Sequence, residues 1–545
     1  MVYALLLQAI IIPIIAAPIA YYVARTMGSR AAAWFSFAVL LYSTIALLYS
    51  TTIGNPVYEL YPWFPHQLSS GTSTLSTIGN FGLYIDGISA PFSITIYIIC
   101  TAAALYSLPY MRHRISEQER ESTFATIQRD GGTFSETEAE QERGERESPR
   151  LRSRFGLYFA LFLLYSAGMV GTVLSTNLIE LYFFFEFMLI PSYFLIAEFG
   201  YGSRGRISFM YLLWTHIGAL LMLLSFLAIG TVGNNFVFLG SGALHPPSLG
   251  NLLPWVIFGI VVGLFVKLAA VGLHIWLPYA HAEAPTPISA LLSPAMIGIG
   301  GYIIIRMFTL LLPEAFPEIG LGIAIWGVLT MFYGGIMALA QDDIKRLFAY
   351  SSVSQMGYII FGIGTTTQHG IEGAVFQFVS HGTAKGILFM VAGIIIVQAG
   401  GLRSIKGMGG LSQRLPITAT CAMIGFLGLM GFPETNGFQS EWLIFSGGLQ
   451  QGSSGAGPLS NYWLLVSILA VISTIVTAAY SLWTMKRVFF GRLPESLSQV
   501  KEGSWYMLAP VIFLTAVTIL LGVLPGLIDN YLVPTASTLT PPLLP

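Results

Sequence analysis

Apolar runs of about 20 residues, the length a helix needs to cross a bilayer, recur along this sequence between short polar joints. They predict about fourteen spans, near 3–24, 31–50, 83–108, 154–175, 178–199, 207–230, 252–273, 286–305, 318–340, 348–364, 373–398, 416–447, 462–485 and 505–525. The ~10-residue alternation of a membrane β-barrel is missing, so the class is an all-α polytopic membrane protein. The first run, MVYALLLQAIIIPIIAAPIAYYVAR, lacks a positive n-region and a clean cleavage site and reads as a span rather than a signal peptide.

Two spans are interrupted: the seventh around LHIWLPYAHAEAP and the twelfth around GLMGFPETNGFQSEW. Proline and glycine free backbone groups that protein or water must then satisfy. Breaks five spans apart suggest two inverted five-helix repeats with sites near the breaks. The expected organisation is helices 1–3 in 1–110, a charged cytoplasmic loop in 111–153, a first repeat in 154–305, a second in 318–488 and a last helix in 505–525.

Charge placement supports the count. Nearly all of the 25 lysines and arginines fall in loops on one side, Lys267, Lys385 and Arg306 being the exceptions, and loops 51–82, 231–250 and 448–461 hold none. Positive loops stay inside, so both termini are expected outside. Residues 112–154, with nine arginines and ten acids, read as a solvated insertion or a surface helix.

Composition narrows the chemistry. Only 9% of residues are charged and the net charge is −1, which gives nucleic acid no purchase. Cys100 and Cys421 stand alone, so neither zinc nor an iron–sulfur cluster has a thiolate set. No dinucleotide fingerprint or P-loop occurs, and His281-x-Glu283 lacks further metal ligands.

The informative residues are ionisable ones inside spans, each costing about 2.5–3.5 kcal/mol on insertion scales for a lysine or acid at mid-membrane. Glu186 lies among aromatic and aliphatic neighbours in NLIELYFFFEFMLIPSYFLIAEF, and Lys267 lies in the seventh span. Placed together they form a switchable pair; apart, the acid is neutral and bonded to a backbone carbonyl. Gln377, His381 and Lys385 are spaced by four and share one helix face. That stripe either lines a hydrated path or forms a helix–helix hydrogen-bond seam. Glu441 follows the second break. His216, His274, His281 and Glu283 are further candidates, with ordinary packing the competing reading. Desolvation favours the neutral form of any ionisable group, which lets a buried amine both take and release a proton.

At these residues the chain resembles the antiporter-like proton-pumping subunits of respiratory complex I, which are related to Mrp-type cation/proton antiporter subunits. The resemblance is carried by FEFMLIPSYFLIAEF, VKLAAVGLHIWLPYAHAEAPTPISALL, DDIKRLFAYSSVSQMGY, SHGTAKGILF, GGLSQRLPITA and TAAYSLWTMKRVFFG. It implies a fourteen-helix core and a proton path through Glu186, Lys267, a central lysine and Glu441. The glutamate at 441 is similar to the M-type subunit (chain 4). The M-type helix-eight lysine, however, falls at Gly298, the tenth-span histidine position is Gln355, and Lys385 resembles the central lysine of L-type subunits. Only about twenty residues follow the last span, which leaves no room for an L-type lateral helix.

The resemblance further implies a prokaryotic plasma-membrane location and L-, N-, K-, J-, A- and H-type membrane partners. NADH, FMN, iron–sulfur clusters and quinone are then expected on partner subunits. The competing classes are an Mrp-type antiporter or membrane-bound hydrogenase subunit, a solute carrier and an inert scaffold.

Overall fold

A computed structural model describes residues 4–62, 80–129, 148–453 and 459–539. The helices are α1 Leu5–Met27, α2 Ser29–Ile53, α3 Ser89–Arg129, α4 Pro149–Leu174, α5 Leu178–Phe199, α6 Arg204–Val232, α7 Leu253–Lys267 and α8 Trp276–Glu283. They continue as α9 Thr286–Leu311, then α10 Ala315–Leu339, α11 Ile344–Gly364, α12 Gln368–Gln398, α13 Pro416–Leu429, α14 Asn436–Ser453, α15 Ser460–Phe489, α16 Trp505–Val523 and α17 Gly526–Leu539. Between α2 and α3, strands β1 Val57–Tyr61 and β2 Phe81–Ile85 pair antiparallel, with Glu59 opposite Leu83. The hairpin also holds α1, because the Glu59 carboxylate accepts the Leu6 and Leu7 amides at 3.0 Å. An acid there satisfies donors that a helix N-terminus leaves free.

Twelve helices among the described residues are long and apolar enough to span a membrane. The α11 helix and the interrupted α13–α14 pair complete the expected fourteen crossings. The most apolar windows of α9 and α12 are wholly buried, against 39% of those of α1, α6, α15 and α16. The polar stripe of α12 therefore lies inside protein. Two π-helical turns, Leu292–Met296 and Met307–Leu311, widen α9 locally.

Three expectations need correction. The charged segment 111–153 is not a loop throughout, since its described part to Arg129 continues α3; residues 130–147 lie outside the described residues. Arg114 is buried and donates to the Phe199 and Gly200 carbonyls that end α5, where the helix dipole favours a cation. Its guanidinium also sits 3.9 Å from the Tyr201 ring centre. Lys345, expected in an inner loop, is wholly buried, and so is Arg306. Beyond 525, where no element was expected, α17 covers the start of α3: Thr535 Oγ1 accepts the Gly87 amide at 3.2 Å.

Candidate functional site

Both interruptions predicted from the sequence are present, and each is held open by side chains that satisfy freed backbone groups. At the first, α7 stops at Lys267 and Ala269 adopts φ +53°, a conformation that L-residues rarely take. Indole nitrogens of Trp276, Trp214 and Trp326 donate to the Val266, Leu273 and Val271 carbonyls at 2.9, 2.8 and 3.0 Å, and Thr330 Oγ1 accepts the Val271 amide at 3.2 Å. At the second, α13 stops at Leu429, whose carbonyl accepts from Gln355 Nε2 at 3.2 Å. Gly431 and Glu434 there take positive φ. Glycine is favoured at 431 because its φ of +64° is one that L-residues rarely take.

Lys267 is the last residue of α7, where the helix dipole favours its charge. Its buried Nζ has no hydrogen-bond partner and lies 4.7 Å from the Phe185 ring centre. Glu186 is within electrostatic reach of it but is not its hydrogen-bond partner. The Glu186 carboxylate instead bonds His216 Nδ1 at 2.8 Å, and these side chains are 20% and 43% exposed on the outward face of α5 and α6. Glu186 thus lies near Lys267 while bonding His216, and Phe185 packs against the Lys267 amine. Adjacent residues on a helix point about 100° apart, which is why Phe185 and Glu186 reach different partners.

The centre is built from α8, α11 and α12. Lys385 Nζ donates to the Phe348 carbonyl at 3.0 Å and to Ser351 Oγ. His281 and His381 are wholly buried, and all four of their ring nitrogens lack hydrogen-bond partners. His281 stacks on Phe389 at 4.9 Å. His381 lies within electrostatic reach of both Lys385 and His281. Unmet polar groups of this kind are costly in a dry core.

Further along, Gln377 Nε2 donates to Gln355 Oε1 at 2.5 Å, and Ser440 Oγ donates to Gln377 Oε1 at 2.6 Å. The α12 stripe is thus a hydrogen-bond seam at Gln377, while the His381 ring nitrogens are unbonded. Glu441 is buried beyond that seam, within electrostatic reach of Tyr358 and Tyr480. His274 is peripheral to this row, its Nε2 lying 3.2 Å from the Tyr333 hydroxyl. His281 and Glu283 belong to no grouping of three metal-binding side chains among the described residues.

Gly298, where the resemblance places a lysine, has its space filled. A β-carbon there would lie 2.3 Å from Phe378 Cδ2, and the Phe378 ring stacks on Phe92 at 4.1 Å. Gly298→Lys is expected to destabilise by about 1–3 kcal/mol or more from overpacking. Phe378→Ala in the same chain should relieve it, which thermal unfolding of the solubilised protein would read. Sequence reasoning missed Lys345, which adjoins the Asp342–Asp343 joint, and the Arg306–Asp86 pair, because Arg306 falls one residue past the expected span 286–305.

Residues 175–473 match the family described as "NADH:quinone oxidoreductase/Mrp antiporter, TM", and residues 75–120 match "NADH-Ubiquinone oxidoreductase (complex I), chain 5 N-terminus". NADH-quinone oxidoreductase subunit M of Rhodobacter capsulatus is 33% identical over 401 residues, 71% of this chain and 76% of the relative. F(420)H(2) dehydrogenase subunit M of Methanosarcina mazei is 29% identical over 514 residues, 90% of this chain and 89% of the relative. A chain of respiratory complex I from Thermus thermophilus with bound NADH shares the fold, with a TM-score of 0.76 at 23% identity over 99% of each chain.

Proposed function

We propose, from the premise that this chain belongs to the NADH:quinone oxidoreductase/Mrp antiporter transmembrane family, that it relays protons across a membrane as one subunit of a quinone-reducing complex. The observation that carries this reading is the row of buried titratable side chains at and between the two helix breaks. Lys267, His281, His381, Lys385 and Glu441 are all enclosed, and several of their polar atoms are unpartnered. An inert scaffold has no use for that cost, and intramembrane ionisable groups mark charge pathways.

The step expected of this chain is electrostatic. A redox-driven change in a partner subunit alters the charge near Glu186 and His216, which face outward from α5 and α6. Glu186 then ceases to hold the positive charge on Lys267, which releases its proton towards His381 and Lys385. Glu441 exchanges it with the outer side. Moving one charge against 100 mV takes about 2.3 kcal/mol, and a tenfold change in proton affinity is worth about 1.36 kcal/mol, so a change of less than a hundredfold across the row matches that load. Electron carriers, NADH or another donor, and quinone belong to neighbouring membrane and peripheral subunits in this reading.

Vesicles holding the assembled complex test it. Quinone reduction should drive uncoupler-sensitive proton transport that does not need sodium. Sodium-dependent proton exchange without quinone reduction would overturn the reading in favour of an antiporter subunit. Glu186→Gln keeps size and hydrogen bonding but removes the charge, and should lower the protons moved per quinone several-fold while leaving assembly intact.

A further inference from the structure

At the cation-rich end of the bundle a wholly buried lysine, Lys345, adjoins the end of α8. Asp343 caps α11, its Oδ1 accepting the Lys345 and Arg346 amides at 2.8 and 3.1 Å. Lys345 thus stands in the first turn, where the helix dipole disfavours a cation. Its side chain nevertheless turns inward and is wholly buried. Nζ donates to the Ala284 carbonyl at the end of α8 and lies 5.6 Å from the Tyr201 ring centre.

The nearby acids do not neutralise it. Asp343 is paired with Arg403 at 2.6 Å. Glu283 is within electrostatic reach of Lys345 but makes no ion pair among the described residues. The Glu283 carboxylate is part-exposed at the rim, and Gly202 makes room for it: a β-carbon there would lie 2.7 Å from Glu283 Oε2. His281, three residues before the Ala284 that Lys345 bonds, is within electrostatic reach of Lys345 and Lys385 and has both ring nitrogens unpartnered.

We infer that Glu283 and Lys345 form the inner intake of the proton path, delivering to His281 and from there to His381 and Lys385. Glu283 takes a proton from bulk water as a carboxylic acid and passes it to neutral Lys345, leaving a carboxylate and an ammonium. Lys345 then passes a proton to a ring nitrogen of His281, leaving a neutral amine and an imidazolium. Transfers beyond direct hydrogen-bond reach run through a bridging water. Both residues alternate between two protonation states in each cycle, Glu283 at the part-exposed rim and Lys345 in the enclosed interior. This rests on the proton-relay reading above.

Arginine separates this from a purely structural lysine. Lys345→Arg keeps the positive charge and a donor for the Ala284 carbonyl, but a guanidinium does not give up its proton in a protein. In the assembled complex in vesicles, Lys345→Arg and Lys345→Met are both expected to lose proton transport per quinone reduced. Glu283→Gln, isosteric at a part-exposed position, should assemble normally and lose most of it. Lys345→Arg transport at the wild-type ratio would show the lysine to be only a cap for α8 and would overturn the inference. Should the bulkier arginine prevent assembly, Glu283→Gln decides, and wild-type transport by that variant overturns the intake. A wild-type complex that moves no protons with quinone reduction removes the underlying function itself, and the inference with it.

Discussion

Lys385→Ala is expected to leave the complex assembled and quinone-reducing while proton transport falls to background. Lys385 is wholly enclosed and tied to α11 through the Phe348 carbonyl and Ser351. Along α12 it is one turn from the unbonded His381, which in turn is one turn from Gln377 and the Gln355–Gln377–Ser440 seam that leads to Glu441. The site where the family resemblance implies another lysine is Gly298, and Phe378 closes that space, so the centre has no substitute amine there. Truncating a buried side chain to alanine also opens a cavity, which costs about 2–5 kcal/mol for large apolar residues. Lys385→Met separates the two effects, because it keeps the length and discards the titrating group. Both variants should show the same loss in protons moved per quinone reduced, with subunit content checked on native gels. Normal transport by the methionine variant would remove Lys385 from the path.

Much of the fold was legible because hydropathy and loop charge report on the bilayer directly. Spans, breaks and the inward face of the α12 stripe all follow from period and composition. What failed were segments where local composition and tertiary context disagree. The arginine- and glutamate-rich continuation of α3 reads as solvated, yet Arg114 pairs with Glu117 at 2.8 Å along the helix and docks on the end of α5. The α17 helix was missed because it is short and lies against the start of α3 instead of crossing the bundle, so span-length hydropathy has no signal for it.

The site was legible as a set of residues and less so as a set of partners. Glu186, Lys267, Lys385 and Glu441 announced themselves as ionisable groups in apolar runs. Which of them touch depends on helix rotation, and a sequence without coordinates does not fix that. The sequence therefore leaves the Glu186–Lys267 pairing open and gives no sign of the Glu186–His216 bond. Lys345 was hidden for a different reason. A lysine two residues past an Asp-Asp pair looks like an inner-loop cation, and only packing against Ala284 and Tyr201 places it indoors.

The largest stability effect is expected at Arg306 and Asp86, which the sequence places 220 residues apart. Arg306 Nη2 meets Asp86 Oδ1 at 2.5 Å, with side-chain exposures of 1% and 5%. The same Oδ1 accepts the Ile88 and Ser89 amides at 3.1 and 2.9 Å, so Asp86 also caps the start of α3. Tyr302 OH accepts from Arg306 Nε at 3.2 Å. One ion pair therefore ties the hairpin end and α3 to the enclosed helix α9. Arg306→Met leaves the buried carboxylate with only the Ile88 and Ser89 amides and the Ser89 hydroxyl as donors, and Asp86→Asn leaves the guanidinium without its counter-charge. Stranding one member of a buried pair costs about 3–5 kcal/mol, whereas replacing both by neutral groups is often near neutral. Asparagine still caps a helix as well as aspartate, so the double variant should regain most of the lost stability. Thermal unfolding of the detergent-solubilised protein at one scan rate should rank wild type and double variant above both single variants. Two single variants that unfold with the wild type would mean that the pair is screened by water and holds nothing.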